Sequence, residues 1–114
     1  MNQEMNIEKV IGYIKKRPCM YIGELNFNYL HQFLGGFLYY AFSTQRADEI
    51  DKGFQDEFHD WTRKWLEKNE KIFFTVSVGY DFYIQSICET QQECFDLFFK
   101  LCDIFFKELH DRID

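Results

Sequence analysis

The sequence predicts a mainly α-helical fold: a compact bundle of about five helices around a buried C-terminal helix. Apolar residues recur at the spacing of one helix face through most of the 114 residues. The last segment is apolar around almost its whole circumference, which is typical of a helix at the centre of a bundle. The core material is aromatic, since Phe, Tyr and Trp make up 20% of the chain. A chain of this length predicts one domain over residues 1–114.

The first helix is predicted over residues 6–16, where four apolar residues fall at i, i+3, i+4 and i+7. Asn6 can cap its first turn, because a side-chain oxygen at this place accepts a free backbone N–H. Pro18 ends the helix, because the residue before a proline avoids the helical region. Residues 17–23 are therefore predicted as a short extended connector, whose apolar side chains fill gaps between helices.

Two further helices are predicted in the middle of the chain, over residues 26–45 and 51–68. In the first of them, Gly35 and Gly36 cost helix stability, and such a pair predicts a kink or the close approach of another element. The second carries a continuous aromatic stripe at helical spacing. This stripe consists of Phe54, Phe58, Trp61 and Trp65.

Residues 72–87 fit two structures. Apolar residues alternate over 72–78 and a glycine follows, which is typical of a hairpin and would make the fold α+β. The spacing after Gly79 favours a short helix over residues 80–88, and this is the interpretation we prefer. The last helix is predicted over residues 90–110.

The acidic side chains are unevenly distributed along the chain. Residues 1–46 carry five basic and three acidic side chains, whereas residues 47–114 carry eight basic and sixteen acidic ones. Such a field repels nucleic acid and anionic membranes and attracts basic protein surfaces. We predict a partner-binding surface at the densest stretch, the acidic cluster, with Trp61, Tyr39 or Tyr40 as aromatic anchors. The acidic cluster consists of Asp48, Glu49, Asp51, Asp56, Glu57 and Asp60.

The sequence predicts a cytoplasmic protein with no membrane partner. The first ten residues lack the basic-then-apolar order of a signal peptide. The longest apolar stretch, residues 33–42, is shorter than the roughly 20 residues of a membrane span. The four cysteines have no metal-ligand spacing and are expected to be reduced.

Residues suited to catalysis are scattered, and we predict no enzyme activity, no cofactor and no metal. His31, His59 and His110 fall on three different predicted helices. Cys102 lies two helical turns from His110, too far for a nucleophile–base hydrogen bond. The chain has no glycine-rich phosphate loop and no zinc-binding motif. A deep pocket with His31 or His59 beside a carboxylate would instead indicate an enzyme.

The connector, residues 17–23, contributes to resemblances with two known protein families. The string KRPCMYIG, residues 16–23, resembles a segment near the N-terminus of the ATPase domain of type II topoisomerases. The remaining nucleotide-binding motifs of that domain are absent from this sequence, so ATP binding is not expected. The second resemblance covers most of the chain, through RPCMYIG at 17–23, FLGGF at 33–37, the aromatic stripe within 54–65 and CFDLFFKL at 94–101.

In this order the motifs are similar to a family of small bacterial cytosolic proteins, some of which look like immunity proteins that neutralise a toxin encoded alongside. The resemblance implies an immunity- or antitoxin-like protein that binds and occludes a cognate toxin. The acidic cluster suggests that this toxin is basic, such as a nuclease. The alternative is an acidic mimic of nucleic acid that blocks a DNA-binding protein; in neither case is nucleic acid the partner.

Overall fold

The computed structural model describes residues 5–113, which form six α-helices and, within that range, no β-strand. The helices are α1 (Ile7–Lys16), α2 (Pro18–Ile22), α3 (Phe27–Ser43), α4 (Glu49–Asn69), α5 (Tyr80–Ile87) and α6 (Gln91–Ile113). The mainly α prediction is confirmed. The hairpin alternative over 72–87 is wrong, because residues 70–79 form a loop that ends where α5 begins. The signal-peptide prediction involves residues 1–4, and the single-domain prediction involves residues 1–4 and 114. These five residues lie outside the described part of the chain.

The C-terminal helix α6 contacts α1, α3, α4 and α5, as expected of a central helix, although it is buried on one side and not around its whole circumference. One side of it is lined with large apolar residues that share a single core with those helices. In α4, Phe54 and Phe58 are fully inside this core, whereas Trp61 and Trp65 are half-buried at its edge. The buried residues of α6 are Cys94, Phe95, Phe98, Phe99, Leu101, Cys102, Phe105, Phe106 and Leu109.

The prediction of an extended connector at residues 17–23 is wrong, because Pro18 begins a helix as well as ending one. Arg17 has the non-helical backbone angles that a residue before proline requires. Pro18 then occupies the first position of α2, where its missing N–H is not needed and its fixed φ suits a helix. Gly23 ends α2 at a φ of 86°, which favours glycine. Of the apolar side chains here, Met20 is exposed and does not fill a gap.

The close approach predicted at Gly35 and Gly36 is absent from the described residues. Both glycines are exposed, and a Cβ added at either would have no neighbour within 4 Å. The α3 helix runs through them without interruption. The close approach occurs instead at Gly53 of α4, where an added Cβ would lie 2.8 Å from Leu109 Cδ2. The sequence alone does not distinguish these sites, because all three glycines lie within helices.

This difference predicts opposite effects for two glycine-to-alanine changes. Gly36→Ala removes a helix-breaking residue at an exposed position, so we expect it to raise the free energy of unfolding by about 0.5–1 kcal/mol. Gly53→Ala forces a buried leucine to move, and we expect a loss of about 1–3 kcal/mol. Urea denaturation of both variants checks this, and an equal change in the two would contradict the assigned burial.

Candidate functional site

Two residues of the acidic cluster, Asp48 and Asp51, form a polar network that joins the first turns of α1 and α4. They cap each other, since the Asp51 N–H donates to Asp48 Oδ1 at 2.9 Å and the Asp48 N–H to Asp51 Oδ2 at 3.0 Å. The second oxygen of Asp51 accepts the Ile7 N–H at 2.7 Å. The second oxygen of Asp48 accepts the amide of Asn6, which caps α1 as predicted. Asp51 is fully buried, which raises the pKa of its carboxyl group and removes it from any surface that a partner touches.

The other four residues of the acidic cluster lie nearer the surface, and two of them are paired within the protein. Glu57 accepts a hydrogen bond from an arginine of α6 at 2.9 Å. Asp60 is paired with two cations of its own helix, and the hydrogen bond from Arg63 lowers the pKa of the Asp60 carboxyl. Glu49 and Asp56 are exposed and form no ion pair within residues 5–113. These two carboxylates are therefore the ones left for outside contacts.

The most distinctive surface feature is an open groove of about 560 Å³ between α1, α2 and α3. Five of its seven side chains are exposed to solvent, although all seven are apolar or aromatic. Contiguous exposed apolar surface of this kind marks binding sites in soluble proteins. We call this feature the aromatic groove. It is lined by Met5, Val10, Tyr13, Tyr21, Phe33, Phe37 and Tyr40.

The helices expose these side chains because their apolar stripes are wider than the faces that the core covers. In α3 the leucines at 30, 34 and 38 are buried, while Phe33, Phe37 and Tyr40 lie on the neighbouring edge of the same helix and line the groove. In α1 the three buried isoleucines leave Val10 and Tyr13 on the outer edge. By helical spacing alone, Phe33 and Phe37 fall on the same apolar stripe as the buried leucines of α3. The width of that stripe indicates that part of it stays uncovered, but it does not indicate which edge.

A second cleft, of about 660 Å³, lies between α1, α2 and α6 and has a different character. Charged side chains line it together with apolar ones, and Lys15 and Asp103 form an ion pair across two of its helices at 3.0 Å. Its polar groups are thus partly satisfied within the protein. The aromatic groove is the stronger candidate for a docking surface.

The three predicted aromatic anchors differ in their positions. Trp61 is half-buried at the edge of the core, and its Nε1–H donates to Glu108 at 2.9 Å. Tyr39 is 77% exposed on α3 but does not line the aromatic groove, whereas Tyr40 does. Of the three, Tyr40 is therefore the one placed for docking in this groove.

The fold brings together two of the scattered histidines in a histidine cluster made of His31, His59, Tyr80 and Asp81. The Tyr80 hydroxyl lies 3.0 Å from His31 Nδ1, and His31 Nε2 lies 3.7 Å from the Asp81 carboxylate. His59 Nδ1 accepts the backbone N–H of Tyr80 at 2.9 Å and so caps the first turn of α5. Neither histidine lines the aromatic groove or the charged cleft. The cluster thus joins α3, α4 and α5 and supports the fold.

Three of the four cysteine side chains, those of Cys88, Cys94 and Cys102, are poorly suited to nucleophilic chemistry, which requires a thiolate. Burial raises the pKa of the Cys88 thiol to about 12, and it also raises the pKa of Cys94. Cys102 is fully buried, and its pKa lies well above the usual range. The histidine considered as a base for Cys102, His110, contacts a carboxylate, since its Nε2 lies 2.7 Å from Glu8 Oε1 on α1. At neutral pH these three thiols remain protonated.

The histidine cap of α5 predicts a pH dependence of stability. Burial lowers the pKa of His59 from its ordinary 6.5, because the protonated ring is poorly solvated and can no longer accept the Tyr80 N–H. The unfolded chain therefore binds a proton at His59 more readily than the folded protein does. The contribution of the neutral His59 to stability is complete above pH 6.5 and declines as the pH falls below that value. Urea midpoints between pH 7.5 and about 5 measure the decline.

The control for this prediction is His59→Asn, whose side-chain oxygen can accept the same N–H without titrating. We expect a smaller decline in the variant than in the native chain over the same pH range. If both chains lose stability equally, the decline comes from other groups and the assignment to His59 is wrong.

Comparison with known proteins leaves the family open, since no protein-family model, curated protein or solved structure matches this chain. Within residues 5–113, no group of three or more His, Cys, Asp and Glu side chains is arranged to hold a metal ion. None of the described helices combines the length and apolar character of a membrane span. The resemblance to small bacterial cytosolic proteins therefore stays a prediction.

Proposed function

We propose that this chain is an immunity-like protein of the cytoplasm that binds another protein, a toxin, and neutralises it by occlusion. The aromatic groove carries this proposal, because it leaves tyrosine, phenylalanine and methionine side chains in contact with water. These residue types are enriched at the centres of protein–protein interfaces. Covering them would gain roughly 25 cal/mol for each Å² of apolar surface removed from water.

The acidic cluster has a secondary role in this proposal. Glu49 and Asp56 remain exposed on α4, and exposed carboxylates speed the encounter with a basic partner more than they hold it. A mimic of nucleic acid needs carboxylates spaced along one long face. Here Asp51, Glu57 and Asp60 are bonded within the protein, which favours the toxin inhibitor over the mimic.

Site-specific photo-crosslinking in the native cell tests the proposal. A photoreactive phenylalanine analogue at Phe33 places the probe in the aromatic groove, and the same analogue at Phe73 is the matched control. Phe73 is 73% exposed on the loop before α5 and does not line the groove. We expect one protein to be captured at position 33 and not at position 73.

The captured partner then allows a functional test. Expressed alone it should arrest growth, and co-expression of this chain should restore growth. Phe33→Ser should abolish the rescue and Phe73→Ser should not, because only the first introduces a polar group into the groove. The double substitution Glu49→Lys and Asp56→Lys should slow association and leave most of the rescue intact. A partner that is harmless alone would contradict the toxin-inhibitor proposal, and rescue that is lost only with the acidic substitutions would move the interface to α4.

A further inference from the structure

We infer that the aromatic groove binds an amphipathic helix of the partner, with apolar residues on one face and acidic residues beside them. This inference rests on the proposed function and specifies the segment that the groove recognises. It concerns the charge of the bound helix only, and not that of the whole partner. Three independent observations support it: the backbone of the groove walls, the dimensions of the apolar stripe and the charge at the rim.

The walls of the aromatic groove are helices, which favours a helical occupant over an extended one. An extended peptide needs backbone partners for its own N–H and C=O groups, as the edge of a sheet provides. The backbone groups of α1 and α3 are used within those helices, and the described residues contain no strand. A helix satisfies its backbone internally and presents only side chains, so it fits these walls.

The apolar stripe on α3 has the length of two helical turns. Phe33, Phe37 and Tyr40 stand at i, i+4 and i+7, and at a rise of about 1.5 Å per residue they extend over about 10 Å. Apolar residues at i, i+3 or i+4, and i+7 of a partner helix match this length. Gly36 lies on the same side, between Phe33 and Tyr40, and a Cβ added there would meet no other side chain or helix within 4 Å, so a helix can approach α3 closely there.

Two exposed cations follow the groove residue Tyr13 at the end of α1. Lys16 is exposed and follows Tyr13 by three residues, which places it on the same side of α1, and the exposed Arg17 comes directly after it at the end of the helix. Neither forms an ion pair within the described part of the chain. Glu8 is directed instead toward His110 on α6. A bound helix with acidic residues beside its apolar face would therefore meet complementary charge.

Designed peptides test the inference by fluorescence anisotropy. The probe is a helical peptide of about 18 residues, with leucines at i, i+4, i+7 and i+11 and glutamates on the adjoining positions; a matched peptide carries lysines instead. We expect the acidic peptide to bind about fivefold more tightly at low salt, and this preference to shrink as salt is added. The double substitution Lys16→Glu and Arg17→Glu should abolish or reverse it.

Three variants link binding to the groove. Phe33→Ser should weaken the acidic peptide about tenfold or more, because it removes a central aromatic contact. Tyr39→Ala, on the same helix but outside the groove, should leave the affinity unchanged. Gly36→Ala should weaken binding even though it raises the stability of the free protein, because a methyl group then stands between the two helices.

Several outcomes would overturn the inference. Equal affinity for the acidic and basic peptides would remove the charge argument, and no binding of either would remove the helical occupant. In both cases capture of the partner at position 33 would leave the proposed function intact. A Phe33-dependent dimer in sedimentation, or Phe33-dependent binding to phosphatidylglycerol vesicles in place of the peptide, would assign the groove to a second copy or to a lipid surface.

Discussion

Replacing Phe58 by alanine is expected to lower the free energy of unfolding by about 3–5 kcal/mol, the largest effect we predict for a single substitution. Phe58 is fully buried, and its ring stacks on Phe54 at a centroid distance of 4.6 Å. It also meets Tyr80 of α5 and Phe105 of α6 edge-on, at 5.2 Å in each case. Removing it leaves a cavity bordered by rigid rings, which relax little into empty space.

Chemical denaturation of Phe58→Ala and Phe58→Leu measures this effect. The leucine variant keeps most of the volume and should lose clearly less stability than the alanine variant. If the alanine variant fails to fold, the leucine variant still reports the packing at this site. A loss under about 1 kcal/mol for the alanine variant would show that the neighbouring rings collapse into the space.

Replacing Asp51 by alanine is expected to cost about 2–4 kcal/mol, because two backbone donors lose their acceptor at once. The N–H of Ile7 at the start of α1 and that of Asp48 before α4 both donate to this carboxylate. Neither has another hydrogen-bond partner among the described residues. Without Asp51, the first turns of the two helices are no longer joined through it.

A series at the start of α4 isolates this contribution. Asp51→Asn keeps one acceptor oxygen and should cost less than Asp51→Ala, whereas Asp56→Asn, on the exposed side of the same helix, should change stability by less than about 0.5 kcal/mol. Equal effects at the two positions would mean that Asp51 does not hold α1 to α4. The same series informs the docking question, since a loss of partner binding in the Asp51 variants would follow from unfolding and not from a lost contact.

Most of the helical architecture could be predicted from the sequence. Five helices follow from the 3.6-residue spacing of apolar side chains, and the short helix at 80–88 was preferred correctly over a hairpin. The missing element was α2, because Pro18 is a stop signal for one helix and a start signal for the next, and seven residues are too few to show periodicity. The α4 helix begins at Glu49, two residues before the predicted start, because Asp48 caps it. Several acidic residues lie near this point, and the sequence does not show which of them is the cap.

The candidate site was less predictable than the fold. The six residues of the acidic cluster carry the same chemistry in the sequence, yet Asp51 is buried, Glu57 and Asp60 are paired, and Glu49 and Asp56 are exposed. Which carboxylate finds a cation or a backbone N–H depends on a helix distant in the chain. The aromatic groove escaped prediction for a related reason, since an apolar stripe gives no sign of which edge another helix will cover.

The sequence by itself determined that this protein is helical, that its last helix is central and that its core is built from aromatic rings. These properties depend on local spacing and composition, which can be read from neighbouring residues. Only the tertiary structure decided which rings remained outside, on α1, α2 and α3, and which histidines came together around Tyr80. Those outcomes depend on how helices far apart in the chain pack on one another, because packing covers one part of each apolar surface and leaves the rest for a partner.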